Sequence, residues 1–192
     1  MLGPMTVPLP SLTDTLVPIG AALDALSHAE RVNWMRGLSR RELKALYVLA
    51  DGGSPLPLAY YHGAEGEIVR HHGQNSLPAF SSFEKRFVLR EGGVQGYNHN
   101  SRLVSMVSGP GHFVARQDGD AEVLFDYTTL PASRPDAFPE LKSNDKGTAK
   151  LVFGGMVDRV RRVSTHSTIG TAFRNGKPEN AWFMLVREGD PS

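Results

Sequence analysis

The spacing of hydrophobic positions changes near Pro57. Before it, Val32, Met35 and Leu38, then Leu43, Leu46, Tyr47 and Ala50, recur every three or four residues, the period of an amphipathic helix. Each run follows a Ser-x-x-Glu capping box, Ser27 with Glu30 and Ser39 with Glu42, which supplies partners for backbone N–H groups at a helix start. This predicts helices over 28–36 and 40–50, the second stopped by Gly52-Gly53, with an earlier helix over about 19–26. Such helices need a surface on which to bury their stripe, so they are expected to form a cap.

After Pro57 the pattern becomes short apolar runs separated by Gly, Asn, Asp and Pro, the signature of antiparallel strands. Strands are predicted near 65–71, 82–89, 94–99, 103–107, 111–117, 121–129, 149–153, 156–163, 167–173 and 180–187. Glu91-Gly92-Gly93, Gln117-Asp118-Gly119-Asp120 and Asn175-Gly176-Lys177-Pro178 supply turns. The segment 131–148, with Pro131, Pro135 and Pro139, is expected to be a long loop covering one end of the sheet.

Alternation places Phe83, Lys85, Phe87 and Leu89 on one face, and Ala121, Val123, Phe125 and Tyr127 on one face of another strand. Residues 180–187 are apolar on both faces, Ala181, Phe183 and Leu185 opposite Trp182, Met184 and Val186. A strand buried on both sides suits a barrel wall with helices outside and a lumen inside. The expected fold is therefore mainly β (α+β): an antiparallel β-barrel preceded by two or three N-terminal helices. Its expected organisation is a Pro-rich arm over 1–18 and one domain over 19–192, with a helical cap at 19–52 and the barrel at 58–188.

The chain from Leu151 to Arg187 resembles the end of lipocalin-like (calycin) barrels of the uncharacterised GXWXG type. The matching residues are Val152-Phe153, Asp158, Arg161-Arg162-Val163, Ile169-Gly170 and Trp182-Phe183, and Glu84-Lys85-Arg86-Phe87 answers that family's Gly-Lys-x-Phe. The Gly-x-Trp-x-Gly signature is missing. The resemblance implies a lipocalin-like barrel holding a small apolar molecule and carries over no catalytic residue.

Composition narrows the function by exclusion. A net charge of +1 and no cysteine argue against nucleic-acid binding and remove disulfides, thiolate catalysis and Cys-ligated metals. No Lys or Arg precedes Arg31, and no run of eighteen apolar residues occurs. A secretory signal and a membrane span are thus not expected, and a cytoplasmic location is.

The histidines lack the i,i+2 or i,i+4 spacing of a metal site, and His71 and His72 must face opposite ways on a strand. No metal or cofactor is expected; haem, with His112 or His166 as axial ligand, is the one alternative. Ser164, His166 and Asp158 are too local for a triad. Ser108-Gly109-Pro110-Gly111-His112 leads into a strand rather than the helix a phosphate loop needs. Arg159 and Arg161 share one face of their strand, while Arg162 shares the other with Asp158. An inward Arg162 would anchor an anion unless Asp158 neutralised it. Lys85, between Phe83 and Phe87, is expected near the barrel mouth, its stem on the rings and its head in water.

The candidate ligand-binding residues are Lys85, Phe87, Tyr97, His112, Tyr127, Arg162 and His166. The primary reading is binding of a small hydrophobic or amphipathic molecule in the barrel. One alternative is a barrel enzyme (a cyclase, isomerase or lyase) drawing on Lys85, His112, Tyr127, Arg162 and His166. The other is a structural or protein-interaction module, and self-association stays open.

Overall fold

The computed structural model describes residues 15–77, 81–99 and 109–191. Most of the Pro-rich arm and the expected strand 103–107 lie outside them. Helices α1 (Leu16–Ala25), α2 (His28–Arg36) and α3 (Arg40–Leu49) lead the described chain. Both capping boxes form as expected: Ser27 and Ser39 accept from the N–H of Glu30 and Glu42, whose carboxylates reach back to the serine N–H groups.

Eight strands follow: β1 (Ile68–Asn75), β2 (Ser82–Arg90), β3 (Gly93–His99), β4 (His112–Asp118), β5 (Glu122–Asp126), β6 (Met156–Arg162), β7 (Ser167–Arg174) and β8 (Lys177–Arg187). Each pairs antiparallel with the next, and β8 returns to β1 through His71↔Arg187 to Asn75↔Phe183. The result is a closed eight-stranded barrel, which leaves no sheet edge unpaired. Asn175 and Gly176, both with positive φ, make the tight β7–β8 turn, the conformation a two-residue hairpin requires.

Several boundaries differ from expectation: β1 is shifted from 65–71 to Ile68–Asn75, and β8 begins at Lys177 rather than 180. Strand β5 ends at Asp126 because its carboxylate accepts from the N–H and hydroxyl of Thr128, turning the chain. The stretch expected as a strand at 149–153 is a helix, α4 (Gly147–Phe153). A three-residue apolar run cannot distinguish the two forms, and here only Phe153 is buried, while Leu151 is 79% exposed.

Strand β8 is apolar on both faces because it separates two cores. Outside, Trp182, Met184 and Val186 join Val163, Ile169 and the helical residues Ile19, Leu23, Val32, Met35, Leu43 and Leu46 in one cluster. Arg161 fastens α3 to this wall. Its guanidinium lies 4.2 Å from the Tyr47 ring centroid, donates to the Tyr47 carbonyl at 3.0 Å and pairs with Asp51 and Glu122. The arginines of β6 are thus partly structural. Helix α1 approaches so closely that a Cβ at Gly20 would lie 2.8 Å from the Val163 carbonyl oxygen.

Inside, three inward-facing glycines each sit under a phenyl ring from the adjacent strand: Gly73 under Phe83, Gly96 under Phe113 and Gly170 under Phe183. A Cβ at any of them would come within 2.4–2.5 Å of a ring carbon. Glycine is needed there for space, so that rings lie flat across the lumen. The segment Leu58–Tyr61, a single 3-10 turn, closes the end of the barrel where β2 turns into β3. From it Tyr61 reaches inward to Phe87 and Phe125, at centroid distances of 4.8 and 5.0 Å. Phe113 stacks on Phe125 at 5.1 Å. The half of the barrel at this lower end is therefore filled with rings rather than open.

Candidate functional site: a buried lysine among aromatic rings

The upper end of the barrel carries the longer connections, including β5–β6. Lys85 points inward from β2 and is 3% exposed; its head does not reach water, contrary to expectation. The register of the closed barrel prevents this. Lys85 opposes His71 on β1 and Asn98 on β3, one position below Phe83, so a ring layer stands between the ammonium and the mouth. Its Nζ lies 5.0–5.5 Å from the ring centroids of Phe83, Phe113, Phe125, Tyr127 and Phe183, a distance at which ring faces attract a cation.

Three oxygens meet that nitrogen. Lys85 Nζ donates to Asn98 Oδ1 at 2.8 Å, makes a short hydrogen bond with the Tyr127 hydroxyl, and reaches Asp158 Oδ2 at 3.4 Å. The hydroxyl also accepts from Asn98 Nδ2 at 3.2 Å and donates to Asp158 Oδ2 at 3.3 Å. Asn98 is held in turn by the Gly111 carbonyl at 3.4 Å. Asn144 donates to the carbonyls of His112 and Tyr127, at 2.7 and 2.8 Å, which fixes the loop over this end. Phe153 of α4 stacks on Tyr127, with centroids 5.3 Å apart and planes 9° apart.

Burial dominates the electrostatics. It pulls the Lys85 ammonium below its ordinary value and pushes the Asp158 carboxyl above its own, against the attraction between them. Burial also raises the Tyr127 hydroxyl well above the usual phenol range. Both members of the ion pair are thus moved toward the uncharged state, in which the proton sits on Asp158 and Lys85 is a free amine.

His71, directly opposite Lys85, is fully buried between Phe87 and Tyr61, at 4.8 and 5.2 Å. Neither ring nitrogen has a hydrogen-bond partner. Burial is the first cause holding its imidazole well below the ordinary value, with Arg187 next, so it is neutral at physiological pH.

Of the seven candidate residues, Lys85, Phe87 and Tyr127 meet inside. Tyr97 and His112 lie on the outer wall: Tyr97 packs on Phe138 at 4.6 Å, and the His112 ring lies 3.2 Å from the Glu140 carbonyl oxygen. Arg162 is at the lower end, donating to the Pro55 carbonyl at 3.1 Å; Asp158 pairs with Lys85 instead. His166 sits in the β6–β7 turn, 2.9 Å from Asp190. Asn98, Asp158 and His71 complete the inner set, Asp158 on the face that alternation gives it in common with Arg162. Among the described residues no cluster of three or more His, Asp or Glu could hold a metal. No helix among them is long and apolar enough to cross a membrane.

The fold and site define a closed antiparallel barrel with a buried lysine node at one end. No family model matches the chain, and neither a curated protein nor a solved structure does.

Proposed function

We propose that the protein binds a small apolar molecule with an uncharged polar head group at the upper end of its barrel. The observation carrying this reading is the Lys85–Tyr127–Asn98–Asp158 node. Burying an ion pair contributes little to stability compared with apolar filling, and perturbed titratable groups gathered in one enclosure mark functional sites. Phe83, Phe153 and Phe183 would line the apolar part of the site, with Met156 at its edge.

The node selects the head group. Lys85 and Asp158 together carry no net charge, so an incoming carboxylate would be desolvated beside Asp158 without an unpaired cation to receive it. A hydroxyl or carbonyl can exchange hydrogen bonds with Lys85, Tyr127 and Asn98 at little electrostatic cost. Fluorescence titration with Nile red, followed by displacement with nonanol or nonanoate, tests this. Nonanol should displace the dye at about tenfold lower concentration, the equivalent of one net hydrogen bond of about 1.4 kcal/mol. Absence of dye uptake, or stronger displacement by nonanoate, overturns the reading.

A second reading has one observation in its favour. Tyr127 bridges Lys85 and Asp158, so a proton can pass among three groups beside the head group, enough for an isomerase or lyase step. Loss of turnover in Tyr127→Phe with dye uptake retained would select it.

A further inference from the structure

Resting on the binding reading above, we infer that Lys85 forms a reversible imine with an apolar aldehyde or ketone held at the upper end of the barrel. The node juxtaposes the parts this reaction needs. Lys85 provides the sole primary amine on the inner face of the described strands, enclosed by five rings and touching a carboxyl that can take and return its proton. A lysine in such surroundings is activated because desolvation disfavours the ammonium form. Tyr127 and Asn98 stand on the same nitrogen and would orient the carbonyl oxygen as it becomes a hydroxyl.

The step balances within the node. The Lys85 nitrogen attacks the carbonyl carbon, forming a C–N bond, while the carbonyl oxygen takes the proton held on Asp158. The resulting carbinolamine loses its hydroxyl with one of the nitrogen's protons as water. A protonated imine remains, paired with the Asp158 carboxylate. One carbonyl, one neutral amine and one carboxylic acid become one iminium, one carboxylate and one water, with no oxidant or reductant consumed. The product ion pair replaces the original Lys85–Asp158 pair, so the enclosure gains no net charge. His71, opposite Lys85 with both ring nitrogens unpartnered, offers a neutral hydrogen-bonding group on the adjacent strand.

On the mouth side of Lys85, Phe83 and Met156 are partly exposed, and Phe153 of α4 stacks over Tyr127.

The full-length protein is incubated at pH 7 with nonanal and cyanoborohydride, and modified lysines are mapped by peptide mass. Each trapped imine adds the mass of the aldehyde less one oxygen. The other lysines are Lys44, Lys142, Lys146, Lys150 and Lys177. An ordinary exposed lysine is neutral in only about one molecule in 2,500 at this pH. Lys85 should be modified at least about tenfold faster than any of them, a barrier difference of about 1.4 kcal/mol. Excess nonanol should suppress its modification, and Asp158→Asn, with an unchanged circular-dichroism spectrum, should slow it.

Nile red uptake with Lys85 unmodified, or with all six lysines modified alike, overturns the imine and leaves the binding reading standing. Neither dye uptake nor modification of Lys85 overturns both.

Discussion

Below Lys85 the barrel is closed by hydrocarbon: Tyr61, Phe87, Phe113 and Phe125 meet ring to ring at 4.8–5.4 Å. Above it a comparable cross-section is held by an amine, a hydroxyl, an amide and a carboxyl, each satisfied chiefly by the others. The lower half gains stability from every contact it makes. The upper half must first overcome the desolvation of its polar groups before it gains anything. Two ends of one barrel thus differ in what they contribute: the lower one is packed with rings, and the upper one encloses a network of titratable and polar groups.

The largest effect that would test this division is Phe87→Ala. Removing a fully buried ring that touches Tyr61, His71, Phe113 and Phe125 should cost about 4 kcal/mol in denaturant unfolding. A loss below about 1 kcal/mol would show that the lower half does not carry the fold.

Next comes His71, at the border of the halves. Its folded-state pKa lies well below 6.5, so below pH 6.5 the unfolded chain binds a proton that the folded chain refuses. Stability should therefore fall as pH drops through that range, by up to about 1.4 kcal/mol per pH unit from this group. Unfolding curves at pH 7, 6 and 5 should be steeper in pH for the natural protein than for His71→Phe. Equal slopes would mean that the imidazole finds a proton-accepting partner inside.

The smallest effect is expected where the chemistry is densest. Replacing the pair with Lys85→Met and Asp158→Leu should change unfolding free energy by no more than about 1 kcal/mol, or raise it. A large loss would assign the node to structure and remove the main support for a bound ligand.

Much of this contrast could be seen in the sequence, and the missing parts share one cause. Capping boxes and period-two alternation are local, so the helices, most strands and the shared face of Phe83, Lys85 and Phe87 could be read directly. Asp158 lies 73 residues from Lys85 and Tyr127 lies 42. Their meeting depends on the stagger of a closed sheet, which no local pattern encodes. Lys85 was expected at the mouth for the same reason, because its depth is set by the register of β1, β2 and β3. The fault at 149–153 is different: Leu151-Val152-Phe153 has the composition of a strand, but tertiary contact claims only its last residue. Gly96 and Gly170 fall inside expected strands, where glycine is a known sign of close approach, but Gly73 lies beyond the strand expected at 65–71, and the ring partners of all three come from neighbouring strands.

The seam between β1 and β8 joins positions more than a hundred residues apart, as in His71↔Arg187. The outer surface on which α1, α2 and α3 dock includes Trp182, Met184 and Val186 of β8. The helices are synthesised before every strand of the barrel, whereas β8 of their docking platform follows the other seven strands. Their capping boxes let them coil early, whereas their apolar stripes stay unsheltered until the barrel has closed. Helix docking is therefore coupled to synthesis of β8, and a product truncated before residue 182 would expose both the helical stripes and an open sheet edge, the surfaces most prone to aggregate.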